Sequence, residues 1–200
     1  MILQNCFYCH DSLATNGLTC EFCLASLNSQ LILKINHRST HYQPLKIFSI
    51  FSYTAQIRQL ILLAKIKKSF FANYLLMELS RPYLSHLIKA FDVVVPAASS
   101  LFSRLRGNTD LAYNFAVIAS DYYKASLLRS PYKMGWALRK QSQCSPDQRT
   151  KKIKTANISS QCGRILLIDD VTTSGNTLIH LAEHFPNALE IVAITLASAC

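Results

Sequence analysis

The stretch from Ile165 to Thr177 constrains the fold more than any other part of the chain. It reads Ile165-Leu-Leu-Ile-Asp169-Asp170-Val171-Thr172-Thr173-Ser174-Gly175-Asn176-Thr177: a short apolar run, two adjacent acids, then a small, hydroxyl-rich turn. A run this short and this apolar suits a strand buried on both faces, as in a parallel sheet covered by helices. Phe91-Asp-Val-Val-Val-Pro96 and Glu190-Ile-Val-Ala-Ile-Thr-Leu196 have the same character. Helical patterns run from Asp110 to Lys124 and from Thr177 to Phe185, so strands alternate with helices and the expected class is α/β.

Further upstream, Leu60-Ile61-x-x-Ala64 and Phe70-Phe71-x-x-Leu75-Leu76-x-x-Leu79 show helical spacing, and Arg81-Pro82 ends that run. Tyr42 to Tyr53 reads as extended hairpin material. The chain has 200 residues, half of them hydrophobic, enough for one main core with a small appendage. Its longest apolar stretch, around Ile57 to Leu63, is interrupted by Lys46, Arg58 and Lys65, well short of the ~20 uncharged residues that span a bilayer. Met1 to Cys6 carries no basic segment leading into an apolar one, so no secretory leader is read and a cytoplasmic, reducing setting is expected.

In such a setting cysteines point to metal rather than to disulfides. Of the seven present, four form two tight pairs, Cys6-Phe7-Tyr8-Cys9 and Cys20-Glu21-Phe22-Cys23, ten residues apart. Two C-x-x-C knuckles at this spacing can close a tetrahedral thiolate shell around Zn²⁺, with a redox dithiol as the lesser rival. Four Cys ligands leave no open position for substrate or activated water, so the metal's expected role is structural, stapling a segment too small for its own core. The finger is expected over residues 1–35 and the main domain over 36–200, with His10 a solvated turn residue rather than a ligand. His37, His41, His86, His180 and His184 show no metal-binding pattern.

The five glycines exclude the common nucleotide-binding loops: none has the spacing of a Walker A loop or a G-x-G-x-x-G fingerprint, and G-x-S-x-G is absent. What remains is the acid pair with its hydroxyl loop, at the carboxyl edge where parallel sheets bind ligands. Amides and hydroxyls from Thr173 to Thr177 can wrap a phosphate, Gly175 permitting the close approach. Asp169 and Asp170 beside them can accept hydrogen bonds from ribose 2′- and 3′-hydroxyls or hold a hydrated Mg²⁺. Capping residues alone do not require two consecutive acids directly after a buried strand.

These thirteen residues resemble the phosphoribosyl-pyrophosphate (PRPP) binding motif of type I phosphoribosyltransferases. With the four-Cys finger, Phe51-Ser-Tyr53 to Leu79, Val95-Pro96 and Arg104-Leu-Arg106-Gly107-Asn108, the order along the chain resembles the ComF competence family, whose ComFC-type members join a zinc finger to a phosphoribosyltransferase-like domain. The likeness covers almost the whole chain, from Cys6 to near Leu196. It implies a type I phosphoribosyltransferase-like parallel sheet flanked by helices, with Asp169 and Asp170 as the catalytic acids and Thr172, Thr173, Ser174, Gly175, Asn176 and Thr177 on the PRPP 5′-phosphate. It further implies that Ala97, Ala98 and Ser99, with Arg104 and Arg106, lie where transferases hold pyrophosphate. The chain departs from the family in having Ala97 directly after Pro96 and Asn108 directly after Gly107.

Lys and Arg number 21 against 11 Asp and Glu, a formal net charge of +10 that favours polyanionic partners. Between Arg129 and Lys154 lie eight basic residues and one acid, Asp147. Lys133, Arg139, Lys140, Lys151, Lys152 and Lys154, interleaved with Tyr132 and Trp136, suit single-stranded DNA through phosphate neutralisation and base stacking; a solvated basic loop is the plainer alternative. The resemblance implies a cytoplasmic accessory of DNA uptake in natural transformation that binds PRPP with Mg²⁺ and single-stranded DNA. A DNA helicase or other DNA-processing protein of the uptake machinery is the protein partner it suggests, with peripheral attachment to the inner membrane allowed. The competing reading is an active phosphoribosyltransferase of nucleotide salvage.

Overall fold

A computed structural model describes residues 5–10, 19–87, 90–98, 108–128 and 163–199. The described strands are β1 (Leu31–Ser39), β2 (Pro44–Ser52), β3 (Val93–Pro96), β4 (Ser126–Leu127), β5 (Arg164–Thr172) and β6 (Glu190–Ser198). They form one sheet in the order β1-β2-β6-β5-β3-β4, antiparallel between β1 and β2 and parallel elsewhere. The class is α/β, as the apolar runs predict.

Burial on both faces explains why these runs are strands. In β5, Leu166 and Ile168 face one layer of helices while Ile165 and Leu167 face the other, and β6 alternates in the same way with Val192 and Ile194 against Ile191 and Ala193. The first layer holds α2 (Ala55–Lys65), α3 (Phe70–Ser80) and α4 (Leu111–Tyr123). The second holds α5 (Asn176–Ala182), which buries Leu178, Leu181 and Ala182. Helix α2 buries Ile57, Leu60, Ile61 and Ala64, the i, i+3, i+4, i+7 spacing of one apolar stripe. Helix α4 starts where Asp110 accepts the Tyr113 N–H at 3.0 Å and stops at Lys124 in the left-handed conformation. After α3, Pro82 takes the chain out of α-helix and into a 3₁₀ helix over Arg81–His86.

Two elements differ from the sequence reading. The hairpin's first arm is β1, which begins at Leu31, ahead of the stretch from Tyr42 to Tyr53 that the sequence marks as extended. With Lys34, Asn36, His37 and Arg38, this strand lacks an apolar alternation because it is the sheet's outer edge, where charge and irregularity are usual. Its register shifts between Leu31 and Lys34, with Leu33 at φ 41°. Strand β5 continues beyond Asp169 to Thr172, because β6 also continues and pairs Val171 with Ala197 and Thr172 with Ser198. The two acids therefore lie within the strand rather than at its end.

Connectivity fixes where a ligand fits. From β3 the chain passes through α4 to β4 at the outer edge; from β5 it passes through α5 to β6 on the inner side. Helices α4 and α5 cover opposite faces, so the sheet has its topological switch point between β3 and β5, the place where open α/β sheets leave a crevice at their carboxyl ends. No described helix is long and apolar enough to cross a membrane.

Candidate functional site

The four cysteines of the two knuckles converge. Their sulfurs all lie within 4.8 Å of one another, and Cys9 Sγ is 3.9 Å from Cys20 Sγ. A tetrahedral Zn–S shell at about 2.3 Å per bond needs sulfurs about 3.8 Å apart, so the set fits a four-coordinate metal such as zinc. Each knuckle is shaped by its backbone. The first turns where Cys6 O accepts the His10 N–H at 2.9 Å, with exposed His10 left-handed at φ 63°. The second opens α1 (Glu21–Asn28), which Cys20 caps by accepting the Cys23 N–H at 3.4 Å. Burial works to raise the Cys6 thiol, but backbone hydrogen bonds from Cys9, Cys20 and Tyr8 outweigh it and bring it down to about 6. Burial, then the neighbouring sulfurs, pushes Cys23 well up. Four sulfurs held this close cannot all be thiolates without a cation among them, which is the electrostatic case for a metal here.

The cysteine centre is joined to the main core. Leu27 of α1 is buried in it, the Phe7 ring lies 5.7 Å from that of Phe71, and Ser26 exchanges hydrogen bonds of 2.9 and 3.1 Å with Gln56 of α2.

The second constellation stands at the switch point. Pro96 pairs in register with Ile168, and Ala97 N–H donates to Ile168 O at 2.6 Å, so Ala97 and Ala98 leave β3 beside Asp169 and Asp170 on β5. Asp170 continues the row of Leu166 and Ile168 toward the α2 face, and there Lys65, the last residue of α2, pairs with it. Asp169 Oδ1 accepts the Asp170 N–H at 2.8 Å. Burial, followed by the charge of Asp170, pushes the Asp169 carboxyl up to about 7, against the opposing pull of the Lys65 ammonium; Asp110 adds a smaller push in the same direction as Asp170. Among the described residues, the carboxylates of Asp170 and Asp110 and the ammonium of Lys65 act on this carboxyl. Such a balance favours a divalent cation or a hydrogen-bond donor as ligand.

Beyond the acids, Thr172 is buried, Thr173, Ser174 and Asn176 are exposed, and Thr177 is half-buried in the first turn of α5. Gly175 has φ 80°, and a Cβ there would stand 3.0 Å from Ile47 Cδ1 and 3.7 Å from Arg38 Nε. Arg38 reaches across from β1 and donates to Ser174 O at 3.3 Å. Neither Arg38 nor Lys65 is marked by a motif: their partners are 136 and 105 residues away, and only the folded sheet unites them. Of the expected pyrophosphate residues, Ala97 and Ala98 flank the acids, while Ser99, Arg104 and Arg106 lie outside the described residues. Lys133, Arg139, Lys140, Lys151, Lys152 and Lys154 lie outside them as well.

Compared with known proteins, the chain matches no family model and no curated relative.

Two outcomes follow from these geometries. Chelation is expected to release one metal ion per chain, raise amide exchange in α1 and lower the urea midpoint, because Leu27 links α1 to the core; native mass spectrometry and hydrogen exchange check this, and unchanged exchange in α1 would contradict it. Gly175→Ala is expected to destabilise the fold by about 1–3 kcal/mol in urea denaturation, from the left-handed backbone and the approach to Ile47.

Proposed function

We propose that this protein binds PRPP, as its Mg²⁺ complex, in the crevice outside β3 and β5, and that its four-cysteine centre holds a structural zinc ion. The observation that carries the first part is the acid pair on β5, at the topological switch point, followed directly by an exposed hydroxyl loop. In this reading Asp169 and Asp170 receive the ribose hydroxyls or the hydrated cation, and Thr173, Ser174, Asn176 and Thr177 enclose the 5′-phosphate. Gly175 gives that loop its left-handed turn and its fit against Ile47, where a Cβ would crowd. Ala97 and Ala98 border the same crevice on the side where the pyrophosphate would lie, with Ser99, Arg104 and Arg106 following in sequence. Bound Mg²⁺ would offset the negative charge of the pyrophosphate, and the protein's own task is to orient the sugar and exclude water around its anomeric carbon.

At the level of the cell, the reading is an accessory of DNA uptake in natural transformation that also binds single-stranded DNA. Its support is the ComF-like order of finger, sheet and PRPP-type loop, together with the basic stretch between Arg129 and Lys154. That stretch supplies cations for the phosphate backbone and aromatic rings for the bases.

Calorimetric titration of PRPP with Mg²⁺ tests the first part. Asp169→Asn with Asp170→Asn is expected to weaken binding by roughly tenfold or more, since hydrogen bonds to charged groups contribute about 1.5–3 kcal/mol each. Equal affinity in wild type and variant would defeat the assignment. For DNA, affinity for a single-stranded oligonucleotide is expected to fall with salt, and Lys151→Ala with Lys152→Ala to reduce that salt dependence; an unchanged slope would remove the basic stretch from the interface.

A further inference from the structure

Lys65 is tied to both halves of the switch-point crevice. Its ammonium pairs with Asp170, and the two side chains are only 27% and 17% exposed. Its backbone carbonyl accepts the Thr109 N–H at 3.0 Å, and Thr109 directly precedes Asp110, the residue that caps α4. The chain between β3 and Thr109 is the segment that begins with Ala97 and Ala98. Lys65 therefore stands at the acid beside which Ala97 and Ala98 leave β3.

An ion pair that only braces the fold keeps its partner. Here the partner is a carboxylate that a ligand would need, with one of its oxygens already taken by the ammonium. A divalent cation or a sugar diol arriving at Asp170 competes for that oxygen, and a cation also repels the ammonium directly. Lysine suits such an exchange, being a compact charge with three rotatable donors on a flexible stem. Once released among Asp110, Asp169 and Asp170, it stays close to the acids while the diphosphate offers it a new counter-charge on the β3 side.

We propose that Lys65 is an exchangeable counter-ion: it holds Asp170 while the crevice is empty and passes to the diphosphate of an incoming sugar. The inference rests on the sugar-phosphate reading and deepens it. It names the residue that selects a sugar carrying a diphosphate at C1 over the plain sugar 5-phosphate.

The experiment compares PRPP with Mg²⁺ against ribose 5-phosphate, by calorimetry, in wild type, Lys65→Met and Lys65→Arg. Lys65→Met is expected to lose roughly tenfold or more in affinity for PRPP while binding ribose 5-phosphate as tightly as wild type or more tightly. Lys65→Arg is expected to recover much of the PRPP affinity, because it restores the cation. Equal weakening toward both ligands would reduce Lys65 to a structural brace and overturn the proposal. So would unchanged PRPP binding in Lys65→Met. If wild type binds neither sugar phosphate, the sugar-phosphate reading fails and this proposal fails with it. A measurement on wild type alone guards against poor folding of the variants: after reductive ¹³C-methylation, the Lys65 amine resonance is expected to move to a different position with PRPP, where it meets the diphosphate, than with ribose 5-phosphate, which only frees it from Asp170. The same response to both ligands would overturn the proposal.

Discussion

A parallel strand buried between two layers of helices has no wet side, and the rest of this structure is arranged around that condition. Strands β5 and β6 offer almost no polar side chain before Asp169, so helices must cover the sheet above and below. Covering both faces from a single chain means that crossovers leave the sheet in two directions. The point where they diverge, outside the carboxyl ends of the paired strands β3 and β5, follows from the burial of Leu166, Leu167, Val94 and Val95 as much as from any ligand. The crevice is thus a product of core packing, and its chemistry comes from the residues that the chain places at its rim.

Those residues are few and unequal. Asp169 and Asp170 leave the apolar ladder just where β3 has ended, so they gain exposure without leaving the strand. Fixing carboxylates on a strand orients them more firmly than a loop would. Lys65 then moderates the pair from a helix terminus on one face, and Arg38 reaches the loop from the sheet's edge strand. The crevice is acidic at the strand ends and meets cationic side chains from two separate elements.

Much of this was legible in the sequence because the signals were local. The runs ending at Pro96, Ile168 and Leu196 declared themselves by composition, and the helical pattern from Asp110 to Lys124 became α4 with its N-terminal cap. The two C-x-x-C pairs were legible because four sulfurs so close in sequence have little choice but to meet. Strand β1 was not, since an edge strand is free to be polar and Lys34 to Arg38 obey no burial period. The length of β5 was hidden because it depends on how far β6 runs beside it. Lys65 and Arg38 carried no signal at all: at a helix end or on an exposed strand, a basic residue looks like ordinary surface until the partner from the far end of the chain is known.

Helix α1 belongs to two structures at once. Its first residues close the cysteine cluster, and its Leu27 fills the main core beneath α2 and α3. Metal affinity and core packing are therefore reciprocal quantities, each able to raise or lower the other by the same free energy. A substitution deep beneath α3, far from any sulfur, would then be felt at the cysteine cluster, and a metal bound there would be felt in the sheet. Through Leu27, whatever the four cysteines hold is mechanically continuous with the hydrophobic interior beneath the sheet.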